Sequence, residues 1–307
     1  MILCKKDKIV VIIPYFSENK EWPLYVNFFI ESCKNNLLLD VVFITDLKPP
    51  ENTSSNVSYV NMSFKDIKRR FEKKLNISLI SMINPYKLCD YKPCYAFVFP
   101  EIVKDYKYWA FGDIDLVYGN LKEFITDLIL KDYDVISFTK EVICGHLAIF
   151  KNNYKINTLF QKIKNIDNML QDSDKVYKID EIHFMTEVQN ANYKAHFCNY
   201  GITPLSEGWN SVDFSKGFCV VWNKDGVSVL KEDDSFTDIP YCHFMFQKNR
   251  LWVKNKIKII NILYSKSSWV INSIGFIPLS GKLEKKYLKY IENGREYFNK
   301  YNAIKKR

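Results

Sequence analysis

The chain has 307 residues, of which 47% are hydrophobic, 26% charged and 16% aromatic, with only 10 Gly and 10 Pro. These values suit one large or two modest ordered domains and argue against a chain rich in flexible linkers. The formal net charge of +9 favours ligands that bear phosphate, anionic membrane surfaces or nucleic acid. Eight cysteines without a C-x-x-C pair argue against a zinc ribbon or a thioredoxin-type site.

Strand and helix patterns alternate over the first 140 residues. The run "KIVVIIPYF" (8–16) predicts a buried strand that stops near a proline, and "DVVFITD" (40–46) predicts a second one after a helix. Further strands are expected at "VSYVNM", "YWAFGDID" and "DVISFT", separated by helical segments. Repeated βαβ units of this kind predict an α/β fold with a mainly parallel sheet. Beyond residue 150 the pattern becomes irregular, with helices expected at 152–172 and 180–192.

Polar or aromatic residues follow several of these strands, where α/β sheets bind ligands. We expect the residues after the first, second and later strands to share one edge of the sheet: Pro14, Tyr15, Phe16, Asp46, Asp113 and Asp115.

Asp113 and Asp115 stand two positions apart where a buried-looking strand ends. Mg²⁺ and Mn²⁺ prefer hard oxygen ligands, and nucleotide sites often use one or two carboxylates with phosphate oxygens. A pair of acids in this position is therefore suited to a divalent metal, although a solvated turn would also accept it.

Three blocks of the sequence resemble a known family. "WAFGDIDLVYGNL" is similar to the Asp-x-Asp region of GT-A glycosyltransferases, above all the bacterial capsule, polysaccharide and lipopolysaccharide enzymes. "PYKLCDYKPCYAFVFPE" (85–101) and "CGHLAIFKN" (144–152) resemble the same group, and the likeness runs from residue 8 to about residue 250. The resemblance implies a GT-A (Rossmann-like) fold and transfer of a sugar from a nucleotide-sugar, with UDP the expected nucleotide.

The resemblance also implies roles for individual residues. Mn²⁺ or Mg²⁺ would be held by Asp113 and Asp115, with His243 as a third ligand; a structural histidine among aromatic residues is the alternative. The donor is expected to contact a set of residues distributed over the chain: Pro14, Tyr15, Phe16, Asp46, Lys87, Asp90, Asp113, Ile114, Gly145, His146 and Lys248. Lys87 and Asp90 would grip the diphosphate and a sugar hydroxyl, unless they form only an i,i+3 ion pair.

Asp180 and Glu181 lie at an expected helix start in "YKIDEIHF". Acids there complement the helix dipole, which is a sufficient reason for their position. By the family resemblance, one of them is the base that removes the proton of the acceptor hydroxyl in an inverting transfer.

Two other classes of protein compete with this interpretation. A haloacid-dehalogenase-like phosphatase also has an Asp-x-Asp motif, but there the motif follows the first strand, whereas more than 100 residues precede it here. A non-enzymatic carbohydrate-binding protein would not need the paired acids. No nucleic-acid motif is evident, so no nucleic-acid partner is expected.

The expected organisation is a catalytic domain at 1–255, with a nucleotide-sugar half to about 140 and an acceptor half beyond it, and a helical extension at 256–307. From Lys282 onward the sequence contains nine Lys or Arg residues and three Glu residues. A basic helix of this kind is either solvated or drawn to acidic lipid headgroups. The partners expected are thus a nucleotide-sugar, a glycan or lipid-linked acceptor and the cytoplasmic face of a membrane, for a protein of the cytoplasm.

Overall fold

The computed structural model describes residues 4–79, 82–198, 219–230, 235–244, 268–272 and 275–278. The strands in this part of the chain are β1 (Ile9–Pro14), β2 (Leu39–Thr45), β3 (Val57–Asn61), β4 (Tyr108–Gly112), β5 (Leu116–Tyr118), β6 (Val135–Ser137), β7 (Leu147–Lys151), β8 (Ala195–Phe197), β9 (Cys219–Asn223), β10 (Gly226–Leu230), β11 (Phe236–Ile239), β12 (Tyr241–His243), β13 (Ser268–Asn272) and β14 (Gly275–Pro278). The α-helices are α1 (Val26–Cys33), α2 (Phe64–Leu75), α3 (Tyr95–Val98), α4 (Pro100–Val103), α5 (Leu121–Phe124), α6 (Asp127–Asp132), α7 (Tyr154–Asn157), α8 (Ile166–Gln171) and α9 (Phe184–Asn190).

The chain forms two compact units, each built from separate segments of sequence. The first comprises Met1–Trp22, Leu37–Ile114 and Ile125–Cys198. The second comprises Pro23–Asn36, Asp115–Phe124 and Asn199–Arg307. The borders expected near residues 140 and 255 are not borders of these units, and the division into donor and acceptor halves stays a prediction.

The first unit is built on a sheet with the strand order β3-β2-β1-β4-β7-β6-β8. Four of its six neighbouring pairs are parallel, whereas β7 runs antiparallel to both β4 and β6. Strand β1 lies in the centre, where Val11 pairs with Val41 and with Ala110. Because its β-branched residues are buried on both faces, β1 reads as a continuous apolar run. The predicted α/β fold with a mainly parallel sheet flanked by helices is confirmed.

Local sequence signals explain where the helices of this unit begin and end. Ser63 caps α2 by accepting a hydrogen bond from the backbone N–H of Asp66, and Asn76 ends it in the left-handed conformation. The segment "YAFVFPEIVKDY" was expected to be a helix interrupted or bent near Pro100, and it is divided into α3 and α4 because Pro100 cannot continue the hydrogen bonding of α3. The long helix expected at 152–172 is likewise divided into shorter pieces, among them α7 and α8.

The core of the first unit is rich in aromatic residues. Trp109, Phe111 and Phe150 pack together on β4 and β7, with ring centroids 4.8–6.3 Å apart. Since all three are fully buried, they hold β4 firmly against β7; segments of the candidate site follow β4 and precede β7.

The second unit contains α1, β5, α5 and the strands after residue 218. Strand β12 pairs antiparallel with β5, and the other strands form a sheet with the order β11-β10-β9-β13-β14. The region 256–307 was expected to be a helical extension, which stays a prediction; the described residues within it form the strands β13 and β14. Their sequences, "SWVIN" and "GFIP", carry the β-branched and aromatic residues that favour strands. The basic segment from residue 282 lies outside the described residues. Among those described, no helix has the length and apolar character needed to cross a bilayer.

Candidate functional site

Asp113 follows the last residue of β4, at the carboxyl end of the strand. Its backbone N–H donates to the carbonyl oxygen of His146, which continues the β4–β7 ladder by one bond. Its carboxylate is about one-third exposed, at 35%, and Oδ1 accepts a hydrogen bond of 2.7 Å from Nζ of Lys92. The carboxylate is therefore open to solvent while one of its oxygens is tied to a cation.

Lys92 belongs to a 3₁₀-helical segment, Pro85–Cys94, and its side chain is buried. Its Nζ also donates to the carbonyl oxygen of Gly145, at 2.8 Å, and lies 3.5 Å from Oδ2 of Asp180. Burial by itself lowers the pKa of Lys92, but the negative charges around it, Asp113 foremost among the acids, raise that pKa well above its ordinary value. Lys92 is thus a buried cation shared by two carboxylates.

Asp180 and Glu181 occupy one turn of π-helix, Ile179–His183, that precedes α9. Such turns are rare and occur frequently at functional sites. Burial raises the pKa of Asp180 to about 7, an effect that Lys92 opposes and the neighbouring Glu181 adds to. At neutral pH the Asp180 carboxyl therefore stands near the midpoint of its titration, where a proton acceptor is most useful.

Gly145 brings the backbone against both acids. Its N–H donates to Oε1 of Glu181 over 3.3 Å. A Cβ added at this position would lie 2.7 Å from Oδ2 of Asp180 and 3.1 Å from Oε1 of Glu181. A side chain here would have to displace the two carboxylates, so glycine lets the backbone approach both acids closely.

In the second unit, Asp115 lies beside His243. Strand β12 places His243 opposite Leu116 of β5, and the N–H of Phe244 donates to the backbone carbonyl of Asp115. The Nε2 atom of His243 is 3.4 Å from Oδ1 of Asp115, and both side chains are buried. The pairing of two short strands thus brings together residues that are 128 positions apart in the sequence.

Asp113 and Asp115 are joined through Ile114 alone, so the chain itself keeps the two acids on one turn. Together with His243 they are a group of side chains suited to holding a metal ion. The two carboxylates are ligands that both Mn²⁺ and Mg²⁺ prefer, and the added imidazole nitrogen suits the transition metal Mn²⁺ better than Mg²⁺.

Tyr15 and Asp46 follow β1 and β2, as the sequence predicted. The ring of Tyr15 stacks on Trp22 at 5.1 Å, with an angle of 11° between the planes. Asp46 pairs with Lys20 through Oδ2, while its buried Oδ1 has no hydrogen-bond partner among the described residues. Trp22 and Lys20 were not singled out in the sequence, because a loop residue that contacts another loop leaves no periodic signal.

Lys87 and Asp90 form an ion pair of 2.8 Å, buried rather than at the surface. The Lys87 ammonium also donates to the carbonyl oxygens of Met169 and Lys175. The Asp90 carboxylate accepts from the N–H groups of Tyr177 and Ile179. This network anchors the segment before the π-helical turn. All three N–H groups of the Lys87 ammonium donate to acceptors within the protein.

His146 is buried next to Cys144, two residues along the chain. Burial raises the pKa of the Cys144 thiol, but the neighbouring His146 and the hydroxyl of Ser137 outweigh burial and lower it to about 6. Ser137 donates to Sγ of Cys144 over 3.3 Å. The sequence predicted His146 as a donor contact, and that role stays a prediction. Lys248 lies outside the described residues.

A family model described as "Family of unknown function (DUF6625)" matches residues 11–277, most of the chain. The chain belongs to this family. No match to this DUF6625 protein is found among the curated proteins.

Solved structures similar to this DUF6625 protein include two sugar transferases. The galactosyltransferase LgtC, in complex with donor and acceptor sugar analogs, is 10% identical over 84% of this chain and 95% of its own, with a TM-score of 0.37. Mouse xyloside xylosyltransferase 1, in its apo form, is 7% identical over 79% of this chain and 99% of its own, with a TM-score of 0.40. Similarity at this level assigns no activity to the DUF6625 protein.

Proposed function

We propose that this protein is a metal-dependent glycosyltransferase that moves a sugar from a UDP-sugar to a glycan or lipid-linked acceptor in the synthesis of a surface polysaccharide. The observation that carries the proposal is the Asp113–Asp115 turn. It follows β4 at the carboxyl end of a mainly parallel sheet, where α/β proteins bind ligands, and it combines with His243 as a candidate metal group.

The residues present fit a divalent ion. Asp113 keeps a solvent-exposed carboxylate at this turn, and Asp115 and His243 face each other as buried polar groups, an arrangement that favours an added cation. A Mn²⁺ or Mg²⁺ ion bound there would stabilise the negative charge of the diphosphate leaving group as a Lewis acid. Lys92 offsets part of the negative charge of the turn, which limits the repulsion between Asp113 and the phosphates of a donor.

Asp180 and Glu181 are the proposed acid–base residues. In the reaction, the acceptor hydroxyl oxygen forms a bond to the anomeric carbon while the bond from that carbon to the diphosphate oxygen breaks. The electron pair leaves with the diphosphate, and the proton of the hydroxyl passes to one of these carboxylates. Asp180, with a pKa of about 7, accepts a proton readily and releases it again near neutral pH. A base on the protein is what an inverting transfer requires.

The aromatic loop after β1 is proposed to contact the nucleoside. Tyr15 and Trp22 are stacked, and Trp22 also donates its indole N–H to the carbonyl oxygen of Lys48. The Asp46 carboxylate, which is partly exposed and paired with Lys20, is proposed to accept from an N–H group of the base. We do not extend a donor-binding role to Lys87 and Asp90, because their polar atoms are engaged inside the protein.

The position of the acids favours transfer over the phosphatase alternative. A haloacid-dehalogenase-like nucleophile belongs after the first strand, whereas Asp113 follows β4, the fourth strand in chain order. Membrane contact through the basic segment beyond residue 282 remains a proposal from charge alone. Liposome flotation of the full-length protein, with and without charge-reversed lysines in that segment, tests it.

The activity is tested with a panel of UDP-sugars and Mn²⁺, by following the release of UDP. We expect release with at least one donor, loss of that release in EDTA, and a decrease of at least 100-fold in Asp115→Ala, the scale on which a charge-stabilising group acts. Equal release in EDTA or in the variant would disprove the role of the metal.

A further inference from the structure

A polar cavity of about 360 Å³ lies within the second unit, away from the Asp113–Asp115 turn. We propose that it is a binding site for a neutral saccharide unit. The site does not depend on the proposed transferase activity, and none of the residues assigned to that activity lines it.

The cavity is formed by three segments that are distant in sequence. They are the end of α1 with the turn after it, the residues from Tyr118 to Glu123, and the hairpin between β9 and β10. Hydrogen bonds join the segments: Asn35 donates through Nδ2 to the carbonyl oxygen of Lys224, over 3.1 Å, and the indole of Trp222 donates to the carbonyl oxygen of Tyr118. The walls are therefore held in place by the protein itself.

The hairpin wall has a fixed shape. Oδ1 of Asn223 accepts from the N–H groups of Asp225 and Gly226, at 2.8 and 3.0 Å, which closes the turn between β9 and β10. A wall that is already ordered loses little conformational entropy when a ligand binds.

The groups around the cavity match sugar hydroxyls. The Nδ2 atom of Asn120 donates to Oε1 of Glu123 over 2.7 Å, so an amide and a carboxylate are oriented side by side. A sugar hydroxyl is a donor and an acceptor at once, and amides and carboxylates offer both functions. Asn35, Asn223 and Asp225 add further groups of the same kind.

Charge and shape argue against other ligands. Among the described residues of the lining, Glu123 and Asp225 are exposed acids and Lys224 is the one basic residue, so a phosphate group would meet net negative charge. Trp222 lines the cavity but is only 2% exposed, and it offers no open ring face on which a nucleobase could stack. A neutral ligand with many hydroxyl groups is not repelled by the acids and needs no aromatic ring on which to stack.

The size of the cavity limits the ligand. A volume of about 360 Å³ is at the lower end of the roughly 300–1,000 Å³ typical of ligand pockets, which suits one or two sugar rings. Strand β5 runs from the metal-ligand turn to the cavity, because its first residue, Leu116, follows Asp115 and its last, Tyr118, lines the cavity. Three strand residues span about 10 Å, so the cavity is a site separate from the metal ligands.

The test is a binding titration by NMR with the full-length protein. The probes are glucose, galactose, N-acetylglucosamine and their disaccharides, with inorganic phosphate and Ca²⁺ as the competing chemistries. We expect at least one sugar to shift the side-chain amide signals of Asn120 and Asn223. Its affinity should fall about tenfold in Asn120→Ala and Glu123→Ala, as expected from the loss of one or two hydrogen bonds.

Two further variants make the result specific. Lys122→Ala changes the neighbouring exposed residue of α5, which does not line the cavity, and should leave the affinity unchanged. Asp115→Asn should also bind the sugar normally, which separates this site from the proposed activity. Failure of every sugar to bind, wild-type affinity in Asn120→Ala and Glu123→Ala, or shifts with phosphate or Ca²⁺ alone would overturn the proposal.

Discussion

The ammonium of the buried Lys92 donates a hydrogen bond of 2.7 Å to Oδ1 of Asp113, the first acid of the Asp-x-Asp turn. The same nitrogen is 3.5 Å from the Asp180 carboxylate. The candidate metal turn and the candidate base are therefore coupled through one cation. The sequence places these residues 88 positions apart at their extremes, and only the folded chain unites them.

Replacing Lys92 with Met should destabilise the protein by about 3 kcal/mol, because it removes the buried cation that donates to Asp113 and to the carbonyl oxygen of Gly145. Urea unfolding measures the change. Lys65→Met is the control, since Lys65 is an exposed residue of α2 and its replacement should shift the unfolding free energy by less than about 0.5 kcal/mol. Equal effects of the two substitutions would show that the buried cation contributes nothing to stability.

Gly145→Ala should lower both stability and UDP release, because the new methyl group would displace the carboxylates of Asp180 and Glu181. Gly226→Ala is a matched control. There the nearest atom, the backbone nitrogen of Asn120, is 3.6 Å from the added Cβ, an ordinary contact. Thermal unfolding and activity assays of the two variants are compared; wild-type behaviour of Gly145→Ala would contradict the close packing at this glycine.

Asp180 should make stability depend on pH. Its pKa is raised on folding to about 7, so its contribution is fully present below the unfolded pKa near 4 and is lost as pH rises to 7. Relative to the wild type, Asp180→Asn should therefore gain stability between pH 4 and pH 8, by on the order of 4 kcal/mol at most. Urea unfolding at a series of pH values checks this; a constant difference across that range would contradict it.

Lys87→Met distinguishes a structural role from donor binding. Because the Lys87–Asp90 pair is buried, we expect a loss of about 3 kcal/mol in the free energy of unfolding, with an unchanged donor KM for the folded enzyme. Lys73→Met, on the exposed face of α2, serves as the control. A rise in KM without a loss of stability would restore the role that the sequence predicted for Lys87.

Strands β1, β2 and β4 of the first unit could be predicted because they are apolar runs buried on both faces, and their residues identify them without tertiary information. The Asp113–Asp115 turn followed from the same pattern. The role of Lys92 could not be predicted, because its partners Asp113, Gly145 and Asp180 lie on other segments of the chain. The strands β13 and β14 were also missed, because short apolar segments do not distinguish a strand from part of a helix.

Lys87 and Asp90 also show that contacts between distant segments cannot be predicted from local spacing. An i,i+3 ion pair was the alternative to the donor-binding role expected from the sequence; the two residues do pair, but their spacing does not report that the pair is buried. Their burial depends on Tyr177 and Ile179, which are almost 90 residues away and donate N–H groups to Asp90.

The central claim is that Asp113, Asp115 and His243 hold a divalent ion that joins a nucleoside diphosphate to the protein. Calorimetric titration of the full-length protein with UDP, in Mn²⁺ and then in EDTA, tests it most directly. The account predicts that Mn²⁺ tightens UDP binding at least tenfold in the wild type and has no such effect in Asp115→Ala. The same UDP affinity in Mn²⁺ and EDTA, or the same gain from Mn²⁺ in the variant, would contradict it.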